Sequence, residues 1–309
     1  MTFKSEITPE LLLGMRAAFG RGENAMEFAR QAIRSEKNCS ASTLVADDLQ
    51  AGSYVEQVLA NQEVNDHWCD QLAGVLSPLM DERSSLLEVG CGEATTLTGV
   101  LKGLTVTPAQ ALGFDISWSR CATGLKWLKC RLRRATLFVA DLFSIPLGAN
   151  SVDVVYTSHS LEPNGGREEE ALLELLRIAK RAVVLFEPIY ELAPDEARQR
   201  MRSHGYVRNL KCTAERVGGL VTDYRLLPYS TRSTNPSGVL VIKKPVGQIS
   251  NGGNAGEIQW ICPFTKLPMR QFAEAFYCME SGLAYPFLGE IPLLRPEHAV
   301  LASTFHLHH

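Results

Sequence analysis

The chain has 309 residues, enough for about two domains, and its 45% hydrophobic and 21% charged residues are usual for a globular protein and exclude disorder and a coiled coil. The net charge of −3 argues against binding to nucleic acid, because phosphate backbones attract proteins with an excess of positive charge. No apolar run reaches the roughly 18 residues that cross a bilayer, and the first ten residues lack the features of a signal peptide, so we expect a cytoplasmic protein without membrane contact.

The first 80 residues have a helical pattern and predict an N-terminal helical lid over residues 1–80. Apolar residues three or four positions apart predict short helices over 9–19 and 24–33, and a longer pattern between Tyr54 and Leu79 predicts one or two amphipathic helices. We expect this lid to lie beside the domain that follows it.

From residue 81 the pattern changes to short apolar segments that alternate with helical ones. Five strand candidates lie in SSLLEVG, AQALGFDI, ATLFVAD, SVDVVYTS and RAVVLFEP. This alternation is typical of an α/β fold with a doubly wound, mostly parallel, Rossmann-like sheet. Two later candidates, in GLVTDYRLLPY and SGVLVIKKP, predict an antiparallel pair at the sheet edge, which makes seven strands over residues 81–245.

The remaining chain has a different composition. Residues 246–257 are rich in glycine and asparagine, which predicts a linker. Residues 258–305 are turn-rich and predict a small, separate C-terminal domain.

A strand that ends near an acid, followed by two glycines, forms the most informative segment, Leu87-Glu88-Val89-Gly90-Cys91-Gly92-Glu93-Ala94. Glycine lets the backbone turn sharply and approach a ligand. Asp115 closes the second strand and Asp141 the third, so the acids are expected to face one crevice at the carboxyl ends of the strands. Carboxylates there accept hydrogen bonds from ribose hydroxyls and an exocyclic amine. Taken singly, each acid is equally well explained as a helix N-cap, and the glycines as a simple turn.

Together with the run A-D-x-x-x-I-P-x-x-x-x-S-x-D-V-V from Ala140 to Val155, these motifs resemble the class I S-adenosylmethionine-dependent methyltransferases over roughly residues 84–190. The resemblance implies S-adenosylmethionine as the cofactor. A nicotinamide cofactor uses the same crevice, but the run after Asp141 is a methyltransferase pattern. The sequence departs from the family at Ala94, where many members have a third glycine.

The resemblance also implies roles for single residues. Gly90 and Gly92 would let the methionine part pass close to the backbone, with Glu88 orienting its amino group. The other implied cofactor contacts are Asp115 to the ribose, Ile116 against the adenine, Asp141 to the adenine amine, the Leu142 backbone N–H to the ring, and Ser158 after the fourth strand. From the lid, Tyr54 is a candidate contact to the cofactor carboxylate.

The segment after the fourth strand, Tyr156 to Gly166, lies where methyl transfer would occur. His159 is the best candidate for a general base, because the unperturbed pKa of histidine lies near operating pH. Glu162 either orients His159 or binds a cationic substrate. The alternative is that His159 is an ordinary hydrogen-bonded loop residue and Glu162 caps the next helix.

We expect methyl transfer to an oxygen or nitrogen of a polar small molecule or sugar. The motifs N-P-P-Y and D-P-P-Y, which hold planar amines in relatives, do not follow the fourth strand, and this argues mildly against an adenine or glutamine acceptor. The alternatives are a tRNA, rRNA or protein acceptor, and a non-catalytic scaffold that binds S-adenosylmethionine. The sequence leaves open whether the chain forms a homodimer.

The C-terminal segments C-P-F-T (262–265), C-M-E-S-G (278–282), Y-P (285–286) and G-E-I-P-L-L (289–294) resemble the small Trm112-like domain. Its zinc-binding members have C-P-x-C and C-x-x-C-G. Thr265 and Ser281 replace the second cysteine of each pair here, and a structural zinc site needs four ligands, so we expect no bound metal. Members of that family stabilise methyltransferase domains as partners, which implies an intramolecular docked role in this chain.

Overall fold

The structure is a computed structural model that describes residues 8–33, 40–232, 234–244 and 258–308. The predicted linker, residues 246–257, lies outside the described residues.

A group of helices precedes the first strand. Their bounds are α1 Pro9–Gly20, α2 Ala25–Ile33, α3 Ser40–Leu49, α4 Ser53–Ala60 and α5 Gln62–Leu76. The side chain of Thr8 caps α1 by accepting the Leu11 N–H, and Asn61 separates α4 from α5 by capping the latter in the same way. Helices α1, α2 and α3 pack on one another through an apolar cluster of their own that includes Met15, Ala29 and Val45.

A seven-stranded sheet follows, in the order β3-β2-β1-β4-β5-β7-β6. The strands are β1 Ser85–Val89, β2 Gln110–Asp115, β3 Thr136–Val139, β4 Val152–Ser158, β5 Ala179–Pro188, β6 Leu220–Leu226 and β7 Ser237–Lys243. Strands β1 to β5 pair in parallel, and β7 is antiparallel to both β5 and β6. The predicted α/β fold with a seven-stranded, mostly parallel sheet is thereby confirmed.

Helices cover both faces of this sheet. They are α6 Thr95–Gly103, α7 Trp118–Cys130, α8 Glu168–Ile178, α9 Asp195–Ser203 and α10 Leu210–Arg216. Successive residues of a strand point to opposite faces, so Leu87 packs in one apolar cluster with residues of α8, whereas Leu86 packs in another with residues of α5 and α6. Burial on both faces explains why these strands are continuous apolar runs.

The C-terminal domain contains a small antiparallel sheet. Its strands are β8 Arg270–Gln271, β9 Ala275–Cys278, β10 Leu283–Leu288, β11 Ile291–Pro292 and β12 Val300–Leu301. The domain lies against β3, the edge strand of the large sheet: the Leu294 N–H donates to the Val139 carbonyl oxygen at 2.8 Å. Phe276 and Tyr285 are buried in the same cluster as Leu87, so the two sheets share one apolar core.

The two remaining cysteines of the zinc-ribbon pattern come together around Thr265. Its backbone N–H lies 3.3 Å from Cys262 Sγ, and its hydroxyl lies 3.9 Å from Cys278 Sγ. The Tyr285 hydroxyl is 3.2 Å from Cys262 Sγ. Within the described ranges, His, Cys, Asp and Glu residues form no group of three or more that would suit a metal ion. The absence of zinc stays a prediction.

None of the helices in the described segments combines the length and the apolar character that a membrane span requires.

Candidate active site

The turn after β1 has a backbone that requires glycine. Gly90 and Gly92 have φ angles of +68° and +51°, and Ala94 has +53°, all in the left-handed region. A Cβ atom at Gly90 would lie 2.3 Å from Cβ of Ser160, which is too close for any side chain. The Ser160 hydroxyl donates to the Val89 carbonyl oxygen at 2.6 Å. The turn after β1 and the loop after β4 are therefore in direct contact.

The acids after β2 and β3 lie at the same edge of the sheet, because β1, β2 and β3 are parallel neighbours. The Asp115 carboxylate accepts the Gly92 and Ser117 backbone N–H groups, each at 2.9 Å. Burial raises the pKa of Asp115, although these hydrogen bonds act in the opposite direction. Asp141 accepts the Phe143 N–H at 2.9 Å and so caps a single helical turn. The cap of α7 is Ser117 and not Asp115.

The two residues that follow these acids and were predicted to contact the adenine, Ile116 and Leu142, are both half-buried. Ile116 leads into α7 from the end of β2. Leu142 begins the helical turn that Asp141 caps, and it packs against the main apolar core.

Glu88 is buried below the glycine turn, with 1% of its surface exposed. Its Oε2 atom has no hydrogen-bond partner among the described residues. Burial raises the pKa of Glu88 to about 8, although a hydrogen bond from the Leu97 backbone N–H favours the charged form. The role of Glu88 toward the cofactor's amino group stays a prediction.

The segment between α3 and α4 lies over the glycine turn. The buried Glu93 carboxylate accepts the backbone N–H groups of Gly52 at 2.9 Å and Val55 at 2.8 Å. These bonds hold the ring of Tyr54 beside Gly92, where an added Cβ would lie 3.1 Å from the ring. Tyr54 thus lies at the turn; its contact with the cofactor, and the lid formed by the N-terminal helices, stay predictions.

A buried cation below Tyr54 was not predicted. The Arg120 guanidinium lies 4.2 Å from the centre of the Tyr54 ring and 3.2 Å from carboxylate oxygens of both Glu93 and Asp47. Burial, together with the charge of Asp115, raises the pKa of Asp47 to about 7. The sequence could have indicated a buried arginine, since Arg120 lies among the residues of α7 that form its buried face.

His159 lies at the carboxyl end of β4 with φ +56°. Its Nδ1 atom is 3.2 Å from Glu162 Oε2, and its Nε2 atom is 2.9 Å from the Ser237 hydroxyl at the start of β7. Burial lowers the pKa of His159, but the hydrogen bond and charge of Glu162 outweigh burial and leave the pKa above its usual value. Trp68 packs on the ring at 5.3 Å and donates to the Ser158 hydroxyl at 3.3 Å.

A third acid, Glu187 at the end of β5, holds the loop that carries this pair. Its carboxylate accepts the backbone N–H groups of Ser160 and Leu161, each at 3.1 Å, and of Glu162 at 3.2 Å. Burial raises the pKa of Glu187 to about 7. This contact was not predicted, because nothing local in the sequence marks Glu187 as the acceptor for a loop 27 residues away.

Further polar groups surround Glu162. Asn235 donates to Glu162 Oε2 at 3.4 Å and accepts from Arg200 at 3.3 Å. Burial, followed by the charge of Glu162, raises the pKa of Tyr206 to about 12. Glu162 does not cap α8, whose N-cap is Arg167.

Residues 87–186 match the family model described as "Methyltransferase domain". No curated protein matches the chain significantly.

Solved structures match with low sequence identity. One belongs to a complex of the Haloferax volcanii Trm112 methyltransferase activator, with 14% identity, 64% of this chain and 96% of that chain covered, and a TM-score of 0.50. A SAM-dependent methyltransferase from Aquifex aeolicus has 16% identity, 56% and 88% coverage and a TM-score of 0.41. The magnesium protoporphyrin IX methyltransferase from Synechocystis, with bound SAH, has 13% identity, 76% and 100% coverage and a TM-score of 0.43. At 14% identity, the match with a TM-score of 0.50 shows a shared fold and nothing more.

Proposed function

Because the chain carries an S-adenosylmethionine-dependent methyltransferase domain over residues 87–186, we propose that it methylates an oxygen or nitrogen of a polar small molecule or sugar. The observation that carries this proposal is the His159–Glu162 pair, whose Nδ1 and Oε2 atoms are 3.2 Å apart at the end of β4. When bound, the cofactor supplies an electrophilic methyl group on its sulfonium. A hydroxyl or amine acceptor must lose a proton, and a histidine held by a carboxylate is suited to take it.

We assign the cofactor to the crevice at the glycine turn. The turn supports this assignment, because its glycines let Ser160 and the ring of Tyr54 pack directly against it, so that the loop after β4 and the segment between α3 and α4 both border the crevice. The Asp115 carboxylate, which already orients Gly92 and Ser117, retains lone pairs that suit ribose hydroxyls. Tyr54, beside Gly92, and Asp141, at the end of β3, are the further residues that we assign to the cofactor.

For His159 to act as the base, the Ser237 hydroxyl must give up its hydrogen bond to the Nε2 atom of His159. In neutral His159 with Nδ1–H donating to Glu162, the lone pair on Nε2 accepts from the Ser237 hydroxyl. Ser237 also lies 3.3 Å from the Asn235 carbonyl oxygen, to which its hydroxyl proton can turn. An arriving acceptor would then replace Ser237 at Nε2 and give up its proton there, while Glu162 stabilises the imidazolium.

The surroundings of the pair support a polar acceptor. Glu162, Asn235, Arg200 and Tyr206 supply both donors and acceptors within one network. Such groups can pair with the hydroxyls of a polar acceptor. An apolar molecule in the same place would leave these protein groups buried without hydrogen-bond partners and would therefore bind more weakly.

We further propose that the C-terminal domain is Trm112-like and stabilises the large sheet from within the same chain. The support is its cysteine and Y-P…G-E-I-P pattern, together with its contacts with β3 and with the start of α7. Besides the Leu294 bond to Val139, the Trp118 indole N–H donates to the Leu288 carbonyl oxygen at 3.1 Å, and Phe138 and Trp260 pack edge to face at 5.1 Å.

The acceptor is tested by transfer of labelled methyl groups into a cell extract separated into small molecules, RNA and protein. We expect the label in the small-molecule fraction. Label that enters RNA or protein instead would overturn the acceptor class but leave the activity.

The cofactor site is tested by calorimetry with S-adenosylhomocysteine. We expect Asp115→Asn to weaken binding at least tenfold, since it loses one acceptor and the charge. Asp195→Asn is the matched control, because Asp195 is 99% exposed on α9, and its affinity should equal that of the unmodified chain. Equal affinities for both variants would contradict the site.

A further inference from the structure

A cavity of about 330 Å³ lies where the N-terminal helices, the large sheet and the C-terminal domain meet. This volume falls within the range of pockets that hold small ligands, about 300–1,000 Å³. The N-terminal helices contribute Leu12 and Leu49 to its lining, and the large sheet contributes Ile116 and Val139. The C-terminal domain contributes Leu293 and His298.

The position of the cavity relative to the strands limits what it can hold. Ile116 directly follows Asp115 at the end of β2, and Val139 ends β3. His159 follows β4, and β1 lies between β4 and β2 in the sheet. The cavity is thus on the opposite side of the glycine turn from the acceptor pair, where a cofactor that spans the turn would place its nucleoside.

The chemistry of the lining also suits a purine. Most lining side chains are apolar, and the polar ones include Asp48, Arg295 and His298. Arg295 is 8% exposed and forms an ion pair with Glu297 through Nη2, whereas its Nε atom, like Nδ1 of His298, has no hydrogen-bond partner among the described residues. Burial and the charge of Arg295 lower the pKa of His298 and so favour its neutral form. An adenine edge offers both an amine donor and ring-nitrogen acceptors to such groups.

We infer that the C-terminal domain forms the outer wall of the cofactor's nucleoside pocket, at this cavity, through Leu293, Arg295 and His298. The inference rests on the proposed function. The wall is held in place on β3, because Leu293 bridges to Val139 in parallel and Leu294 donates to the same residue. Cofactor affinity therefore depends on a segment that lies more than a hundred residues beyond the methyltransferase motifs.

The test fills the cavity and measures two ligands by calorimetry: S-adenosylhomocysteine, and methylthioadenosine, which has the nucleoside but no amino-acid part. We expect Leu293→Trp to weaken both ligands by the same factor, at least tenfold. The matched control is Leu301→Trp in the same domain, where Leu301 is 74% exposed and does not line the cavity. Its affinities should stay within twofold of those of the unmodified chain.

Two further variants keep the test decisive. His298→Ala removes part of the wall without adding bulk, and we expect it to weaken methylthioadenosine at least threefold even if Leu293→Trp fails to fold. Tyr54→Ala should weaken S-adenosylhomocysteine and spare methylthioadenosine, since the Tyr54 ring lies beside Gly92 in the glycine turn and does not line the cavity.

If the unmodified chain binds S-adenosylhomocysteine and neither wall variant changes either affinity, the inference is overturned. If the unmodified chain binds neither ligand, the proposed function itself fails.

Discussion

The turn after β1 and the loop after β4 meet at Gly90 and Ser160 but are held in place by different means. The turn depends on its own backbone: Gly90 and Gly92 adopt left-handed conformations, and their neighbour Asp115 binds the Gly92 N–H. The loop depends on a distant acid, since Glu187 accepts its N–H groups from Ser160, Leu161 and Glu162. Binding and proton removal are thus assigned to two structures that can be altered separately.

The same contrast extends to the acids behind each segment. Glu88 lies behind the turn and has one carboxylate oxygen without a partner among the described residues, whereas the carboxylate of Glu187 is used in full by backbone donors. Replacing the acid by its amide should therefore help the first position, which loses a buried charge, and harm the second, which loses an acceptor oxygen.

The largest expected effect separates the two functions. His159→Asn keeps a residue that tolerates the left-handed backbone but has no basic nitrogen. We expect kcat to fall about 100-fold or more, the usual contribution of a general base, while the affinity for S-adenosylhomocysteine stays within twofold. Steady-state kinetics and calorimetry on the same preparation measure both. Activity close to that of the unmodified chain would make His159 a structural loop residue.

An intermediate effect is expected at Glu187, which holds the loop after β4 through three backbone N–H groups. Glu187→Gln offers one acceptor oxygen to three N–H donors, so the loop should loosen and kcat should fall about tenfold, roughly the loss of one or two hydrogen bonds, with cofactor affinity unchanged. The charge of Glu187 also raises the pKa of His159, so the acidic limb of the pH profile should move to lower pH. Glu196→Gln, at an exposed position on α9, is the control and should change neither quantity. An unchanged pH profile would leave Glu187 a purely structural role.

The smallest expected effect concerns stability. The pKa of Glu88 is about 8 in the folded chain against 4.5 for a free side chain, so the folded state prefers the protonated acid and loses stability as pH rises between these values. Glu88→Gln removes this loss. We expect it to match the unmodified chain at pH 5 and to exceed it by of the order of 2 kcal/mol at pH 9.

Thermal unfolding at the two pH values measures this difference, with Glu63→Gln on the exposed side of α5 as the control. The expected change in Tm at pH 9 is about 5 °C for a chain of this size. The same change at both pH values would show that Glu88 is not the titrating group.

The parallel strands β1 to β5 were predictable because they are largely buried on both faces and therefore appear as apolar runs. Helix α3 was not, because its sequence SASTLVADDL is rich in serine, threonine and aspartate, which form helices weakly and gave no clear apolar spacing. Helices α9 and α10 are short and largely polar, and their packing is decided by contacts with distant segments.

The candidate site shows the same limit. Gly90, Gly92, Asp115 and Asp141 were identifiable because their positions at strand ends are local features of the sequence. Of the two hydrogen-bond partners of His159, only Glu162 could be identified from the sequence, because it is three residues away. Ser237 is 78 residues away and belongs to an antiparallel strand. Nothing in a serine at the start of a strand distinguishes it until the strand is placed.

The shared apolar core of the two sheets has a consequence for folding. Strand β3 is an edge strand, and such edges expose unpaired backbone groups that favour aggregation unless they are covered. In this chain the cover is tethered to the surface it protects, so its effective concentration is fixed by the tether and does not fall on dilution. We therefore expect both sheets to melt in one cooperative transition at any protein concentration.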